Sequence, residues 1–130
     1  MISEKQKPTN SGFGAKTEPS EIMEGINLEG KTIVVTGGYS GIGLETSRAL
    51  VNAGANVIAP ARRKDIATKE LDGIIDKDNI VEMNLADPNS VQKFVDDFTS
   101  SAESLDILIN NAGVMACPEM RTSQGWELQF

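Results

Sequence analysis

Thr36-Gly-Gly-Tyr-Ser-Gly-Ile-Gly43 places four glycines in eight residues, directly after the apolar run Ile33, Val34 and Val35. A β-branched run of this kind fits a strand buried on both faces. The glycines after it allow a sharp turn and a close approach of backbone to an anion. Beyond them Ile42, Ala49, Leu50 and Ala53 recur at helical spacing, with Glu45, Arg48 and Asn52 on the other side. Gly54 suits the position just past the helix end, where positive φ is needed. The stretch thus reads as a strand, a phosphate-sized loop and a helix. Free N–H groups and the positive end of the helix dipole converge where the three meet.

The alternation continues outward. Asn56 to Ala59 reads as a second strand, Ile80 to Leu85 as a third and Leu105 to Ile109 as a fourth. Asp87-Pro88 opens a helix, the carboxylate as cap and proline at the first helical position. Val91, Phe94, Val95 and Phe98 then fall at i, i+3, i+4 and i+7, a stripe expected to face the core. Upstream, residues 1–16 read as a flexible tail, and Thr17 to Gly25 as a short helix with early acids and a glycine stop. The fold expected for residues 17–130 is α/β: a Rossmann-type parallel sheet with helices on both faces, ending after its fourth strand. The expected strand order is 3-2-1-4, with right-handed crossovers and a crevice beside the carboxyl ends of strands one and four.

Composition narrows the function. The 130 residues carry a formal net charge of −7, the wrong sign for a nucleic-acid partner. No apolar run reaches the roughly 20 residues that span a bilayer, and the polar N-terminus lacks a signal-peptide core. One cysteine and no histidine leave neither an internal disulfide nor the usual zinc ligands. A cytoplasmic protein with no membrane association is expected.

Two phosphate loops compete for the glycine cluster. Gly38 and Gly43 have the spacing of a nucleotide-hydrolysing P-loop, G-x-x-x-x-G-K-[ST]. However, Leu44 and Glu45 stand where Lys and Ser/Thr are required, so nothing would contact the outer phosphates or hold Mg²⁺. The pattern present is T-G-x-x-x-G-x-G. Gly37 permits the exit from the strand, Gly41 lets backbone approach a pyrophosphate, and Gly43 lets helix and sheet pack closely. Tyr39, Ser40 and Ile42 complete the loop, with the Ser40 hydroxyl as a further donor. Asn110-Asn-Ala-Gly113 ends the fourth strand. Its amides can bond backbone and a ribose, while Ala112 and Gly113 leave room beside a ligand.

With both motifs quoted, the chain resembles the short-chain dehydrogenase/reductase family. The stretches VVTGGYSGIGLET, VIAPARR and INNAGVMACPE are similar to its retinol-dehydrogenase-like branch, from about Ile22 onward. The resemblance implies a nicotinamide dinucleotide cofactor, with Asn111 beside the adenosine ribose and Asn110 structural. It also implies a small-molecule alcohol or carbonyl substrate.

Cofactor choice is read near the end of strand two, about twenty residues past the glycines. An acid there would favour NAD(H). Arg62 and Arg63 stand there instead, and Asp65 follows too late. A guanidinium can grip a 2′-phosphate through paired charge-assisted hydrogen bonds, so NADP(H) is expected, with Arg62 the primary contact and Arg63 the spare. At the end of strand three the family often has Asp followed by Leu or Val against the adenine. Asn84-Leu85 occupies that place here, and the Asn carbonyl can still accept from the adenine amino group.

The family's proton chemistry resembles a general-acid mechanism using Tyr-x-x-x-Lys, with a serine and an asparagine. The one tyrosine, Tyr39, lies inside the glycine loop, and the residue four on is Gly43. No catalytic residue can therefore be carried over. Arg121 to Phe130 reads as the opening of a fourth long helix, with Trp126 and Phe130 on one face. The sequence is accordingly expected to be the N-terminal, cofactor-holding portion of an oxidoreductase, inactive by itself. The alternative is a non-catalytic module that binds NADP(H) or regulates a partner. The family's interface helices are the fourth, cut short here, and the fifth, absent, so oligomerisation is left open.

Overall fold

Four parallel strands run in the order β3-β2-β1-β4, as expected. The computed structural model describes residues 9–101 and 104–129. The elements are α1 (Pro19–Ile22), β1 (Thr32–Val35), α2 (Gly41–Asn52), β2 (Asn56–Ala61), α3 (Lys64–Glu70), β3 (Ile80–Glu82), α4 (Pro88–Ser100) and β4 (Ile107–Ile109). All of β1 is buried, consistent with its unbroken β-branched run. It pairs with β2 through Ile33 opposite Val57 and with β4 through Val34 opposite Leu108.

Strand β2 is longer than its sequence suggests, because Pro60 does not end it. The pairing explains this. Residues 56–58 pair with β1, whereas 59–61 pair with β3, so at Pro60 the strand has one neighbour and the missing N–H breaks no second ladder. The strand therefore runs to Ala61 and delivers Arg62 directly at its carboxyl end. Strands β3 and β4 are shorter than expected, at three residues each.

The core joins the sheet to α2, α3 and the turns after α3. Ile33, Val35, Val57, Ala59 and Ile80 pack with Leu50, Ala67, Leu71 and Ile75. Two expectations about helices need correction. Ile42 is not in the core; it is 82% exposed, and the buried residues of α2 are Gly43, Ser47 and Leu50. The Val91, Phe94, Val95 and Phe98 stripe also fails to reach a core: α4 has no buried residue, and Val95 is exposed. Right-handed crossovers put α2 and α3 on one face and α4 on the other, and the described residues supply no second layer around α4. Phe94 and Phe98 pack instead against each other, ring centroids 6.1 Å apart.

The expected helix over residues 121–130 is absent among the described residues; Phe130 lies outside them. Arg121 and Glu127 form an antiparallel bridge across a turn in which Thr122 N–H donates to the Trp126 carbonyl at 2.9 Å. Gly125, at φ +87°, interrupts any helical path. Two turns of helix are also too short to persist unaided. The short N-terminal helix is present as α1, followed by Gly25 at φ +77°. Residues 1–8 of the expected tail lie outside the described residues, and 9–16 are exposed. No helix among the described residues is long and apolar enough to cross a membrane.

Candidate dinucleotide site

A cleft of about 860 Å³ opens at the carboxyl ends of β1, β2, β3 and β4. Its floor is the glycine loop. Gly37 turns out of β1 at φ +65°, where a Cβ would press on Ala112 at 3.1–3.2 Å. Gly43, in the first turn of α2, lies so close to the strand that a Cβ would collide with the Gly37 carbonyl and the Asn111 amide. That contact lets the helix N-terminus abut the sheet. Among the described residues, no protein acceptor pairs with the N–H groups of Tyr39, Ser40, Gly41, Ile42 or Gly43. The Ser40 hydroxyl caps none of them. Unpaired donors at a helix start are a ready anion site.

Thr36 ties this loop to the end of β4. Its N–H donates to the Ile109 carbonyl at 3.1 Å. Its hydroxyl oxygen accepts from the N–H groups of Asn111 and Ala112, each at 3.1 Å. Asn111 returns the tie, its side-chain nitrogen donating to the Thr36 and Gly37 carbonyls at 3.0 and 3.3 Å. Asn111 therefore holds the two motifs together as well as lining the cleft, and Ala112 and Gly113 line it beside Asn111. Asn110 is exposed.

Arg62, Asn84 and Leu85 form the opposite end of the cleft. The Asn84 side-chain carbonyl accepts from Ala86 N–H at 3.1 Å. The residue sequence reasoning reserved for adenine thus also closes a local turn, with a second lone pair left to a ligand. Arg63 does not line the cleft. Its guanidinium turns to Asp65 at 3.4 Å, which raises the arginine and holds the Asp65 carboxyl below its ordinary range, chiefly through their side-chain hydrogen bond. Gly41 also lies off the cleft and borders a separate apolar groove of about 580 Å³ between α1 and α2. Of the predicted residues, Gly37, Tyr39, Ser40, Ile42 and Gly43 on one side and Arg62, Asn84 and Leu85 on the other are brought together around one space.

Sequence reasoning missed Pro60, Met83, Ala86 and Val114 in the walls, and Thr122, Trp126 and Glu127 at the rim. Met83, Ala86 and Val114 adjoin predicted residues, and Pro60 lies two positions before Arg62. The rim residues fall within the stretch whose sequence reads as a helix.

The comparisons with known proteins bear on the same residues. Residues 31–128 match the family model described as short chain dehydrogenase. This chain belongs to that family. It is 36% identical over 129 residues to short-chain dehydrogenase TIC 32 B, chloroplastic, of Brassica napus, covering 95% of this chain and 40% of that protein. It is 37% identical over 110 residues to retinol dehydrogenase 11 of Mus musculus, covering 81% of this chain and 35% of that protein. Among solved structures, an uncharacterized protein from Mycobacterium paratuberculosis superposes with a TM-score of 0.68 at 34% identity, over 80% of this chain and 37% of the other. The citronellol catabolism dehydrogenase of Pseudomonas aeruginosa gives 0.57 at 30% identity, over 68% of this chain and 38% of its own. The chain thus spans about two fifths of the length of the curated relatives that it matches.

Family members use NAD(P)(H), and the residues here fit such a group. The lack of a side chain at Gly37 and Gly43 lets the loop pack tightly against Asn111 and Ala112. The loop N–H groups suit a pyrophosphate, and Arg62 supplies a cation at the far end.

Proposed function

We propose that this chain is the NADP(H)-binding portion of an oxidoreductase acting on a small alcohol or carbonyl compound. One observation carries the reading: a single cleft joins unpaired loop N–H groups to Arg62 at the end of β2. The bound cofactor would supply the hydride. The chain's own residues bind and orient it. The N–H groups of Tyr39, Ser40, Ile42 and Gly43 hold the pyrophosphate, Asn111 borders the ribose, Asn84 and Leu85 flank the adenine, and Arg62 grips the 2′-phosphate. Arg63, neutralised by Asp65, is a weaker contributor. The retinol dehydrogenases among the relatives support the substrate class. In this reading residues 17–130 form a partial dinucleotide-binding domain behind a tail at 1–16, the catalytic groups lie outside the 130 residues, and the protein works in the cytoplasm.

Calorimetric titration of NADPH and NADH into wild type and Arg62→Ala tests the cofactor assignment. NADPH should bind at least about tenfold more tightly than NADH, and Arg62→Ala should lose that margin while leaving NADH unchanged, as expected for a charge-assisted contact of about 1.5–3 kcal/mol. Equal affinity of wild type for both cofactors overturns the 2′-phosphate reading.

A second reading, a binding module without turnover, is favoured by one observation: the only tyrosine lies in the glycine loop, and Tyr-x-x-x-Lys is absent from the 130 residues. Reading the gene past the Phe130 codon separates the two. A continuing frame with that motif supports the enzyme, and a stop codon with stable expression supports the module. Aldehyde-dependent NADPH oxidation by the 130-residue chain alone would contradict both.

A further inference from the structure

Ser47 sits mid-helix in α2 and is fully buried, at 0% exposure. A helical Ser or Thr hydroxyl commonly bonds the carbonyl four residues back, as Thr46, Thr68 and Thr99 do here. Ser47 does not. Its hydroxyl leaves the helix and donates to the Gly38 carbonyl, nine residues upstream, at 2.8 Å. Gly38 makes that reach feasible: a Cβ there would stand 2.7 Å from the Ser47 oxygen and 3.0 Å from the Val35 carbonyl.

The bond fixes more than one oxygen. The Gly38–Tyr39 peptide is planar and trans, so its C=O and N–H point in opposite directions. With the carbonyl held inward by Ser47, the Tyr39 N–H is turned away from the core. Tyr39 lines the cleft, and its N–H has no acceptor among the described residues. The hydroxyl is therefore placed to set the direction of this free N–H in the loop.

We infer that Ser47 is a positioning residue for the dinucleotide pyrophosphate, acting through Gly38 to aim the Tyr39 N–H at it. This rests on the dinucleotide reading above. Without the hydroxyl the buried Gly38 carbonyl loses its partner. The peptide then either turns over to find another or bears an unsatisfied oxygen.

The test compares ligands with and without the pyrophosphate on wild type and Ser47→Ala. The pair is NADPH and adenosine 2′-monophosphate, or NADH and adenosine if wild type prefers NADH. Ser47→Ala should bind the dinucleotide about tenfold more weakly, the equivalent of one hydrogen bond, and the pyrophosphate-free ligand as wild type does. A general loss of folding would weaken both ligands together. Should Ser47→Ala not fold, Ser47→Cys, a similar volume with a weaker donor, is read by the same comparison. Equal losses for both ligands, or no loss for the dinucleotide, overturn the assignment. Failure of wild type to bind either dinucleotide overturns instead the reading beneath it.

Discussion

At Gly43 one added carbon has nowhere to go, because the Gly37 carbonyl and the Asn111 amide already occupy its place. Both are fixed: Gly37 by the strand it leaves, Asn111 by its bonds to Thr36 and Gly37. Gly43→Ala should therefore push α2 off the sheet. The expected destabilisation is about 1–3 kcal/mol, together with loss of detectable dinucleotide binding. Gly41 is the contrast. It has φ +52° and no atom within 4 Å of a Cβ position, so Gly41→Ala should cost only the left-handed backbone penalty of roughly 1–2 kcal/mol and keep measurable binding. Urea denaturation and NADPH titration of the two variants check this, and a Gly43→Ala protein that binds as well as Gly41→Ala would refute the packing account. Both glycines were legible in the sequence, because the T-G-x-x-x-G-x-G spacing follows from backbone geometry. Ser47 was not. A buried serine in an apolar helix face has no sequence signal, since its partner lies nine residues away, across a turn.

The edge of the sheet is held at its amino end by one carboxylate. Asp106, just before β4, takes the Lys31 ammonium at 2.8 Å through one oxygen and the Thr32 N–H at 2.9 Å through the other. Those bonds hold the Asp106 carboxyl below its ordinary range, the lysine hydrogen bond foremost, and raise Lys31 through the same contact. A carboxyl with a lowered folded pKa contributes stability above its unfolded value of about 4, and loses it as pH falls through the folded value. Lysine's contribution is present below its unfolded value of about 10.4 and is lost only as pH rises through the raised one. Wild type should therefore melt higher than Asp106→Asn at pH 7, and the gap should close as pH falls from the unfolded value through the lowered folded one. A constant gap across that range would assign the effect to amide packing rather than charge. The elements themselves were largely legible: β1, the Asp87 cap, which accepts from Asn89 N–H at 3.0 Å, and the stop at Gly54 all follow from local chemistry. The partner of an apolar stripe was not. Periodicity marks Val91, Phe94, Val95 and Phe98 as one face, but not whether anything covers it. Arg121 to Phe130 likewise reads as a helix from the Trp126 and Phe130 spacing, yet within 121–129 Gly125 and the Thr122 bonds make a turn.

Over the whole molecule, the covered and uncovered faces of the sheet differ. The α2 and α3 side holds the core cluster, whereas β4 stands at the sheet edge with Ile107 40% and Leu108 51% exposed. Leu105, Val95 and Val114 add further exposed apolar side chains. An apolar edge strand with unpaired backbone groups is a template for pairing with another chain. The net charge of −7 opposes such association by mutual repulsion, which salt screens with a Debye length of about 8 Å at physiological strength and 3 Å at 1 M. Self-association of the 130-residue chain should therefore rise with protein concentration and again with added salt. Leu108→Lys adds a charge at the strand edge, where natural edges carry lysine, and should keep the chain monomeric under the same conditions. With so much apolar surface in water, wild type should also melt below about 60 °C. Light scattering behind size exclusion, at low and high salt, reads the association, and calorimetry reads the melt. A wild-type chain that stays monomeric at high salt and unfolds cooperatively above 60 °C would mean that this face is stabilised by contacts other than those described.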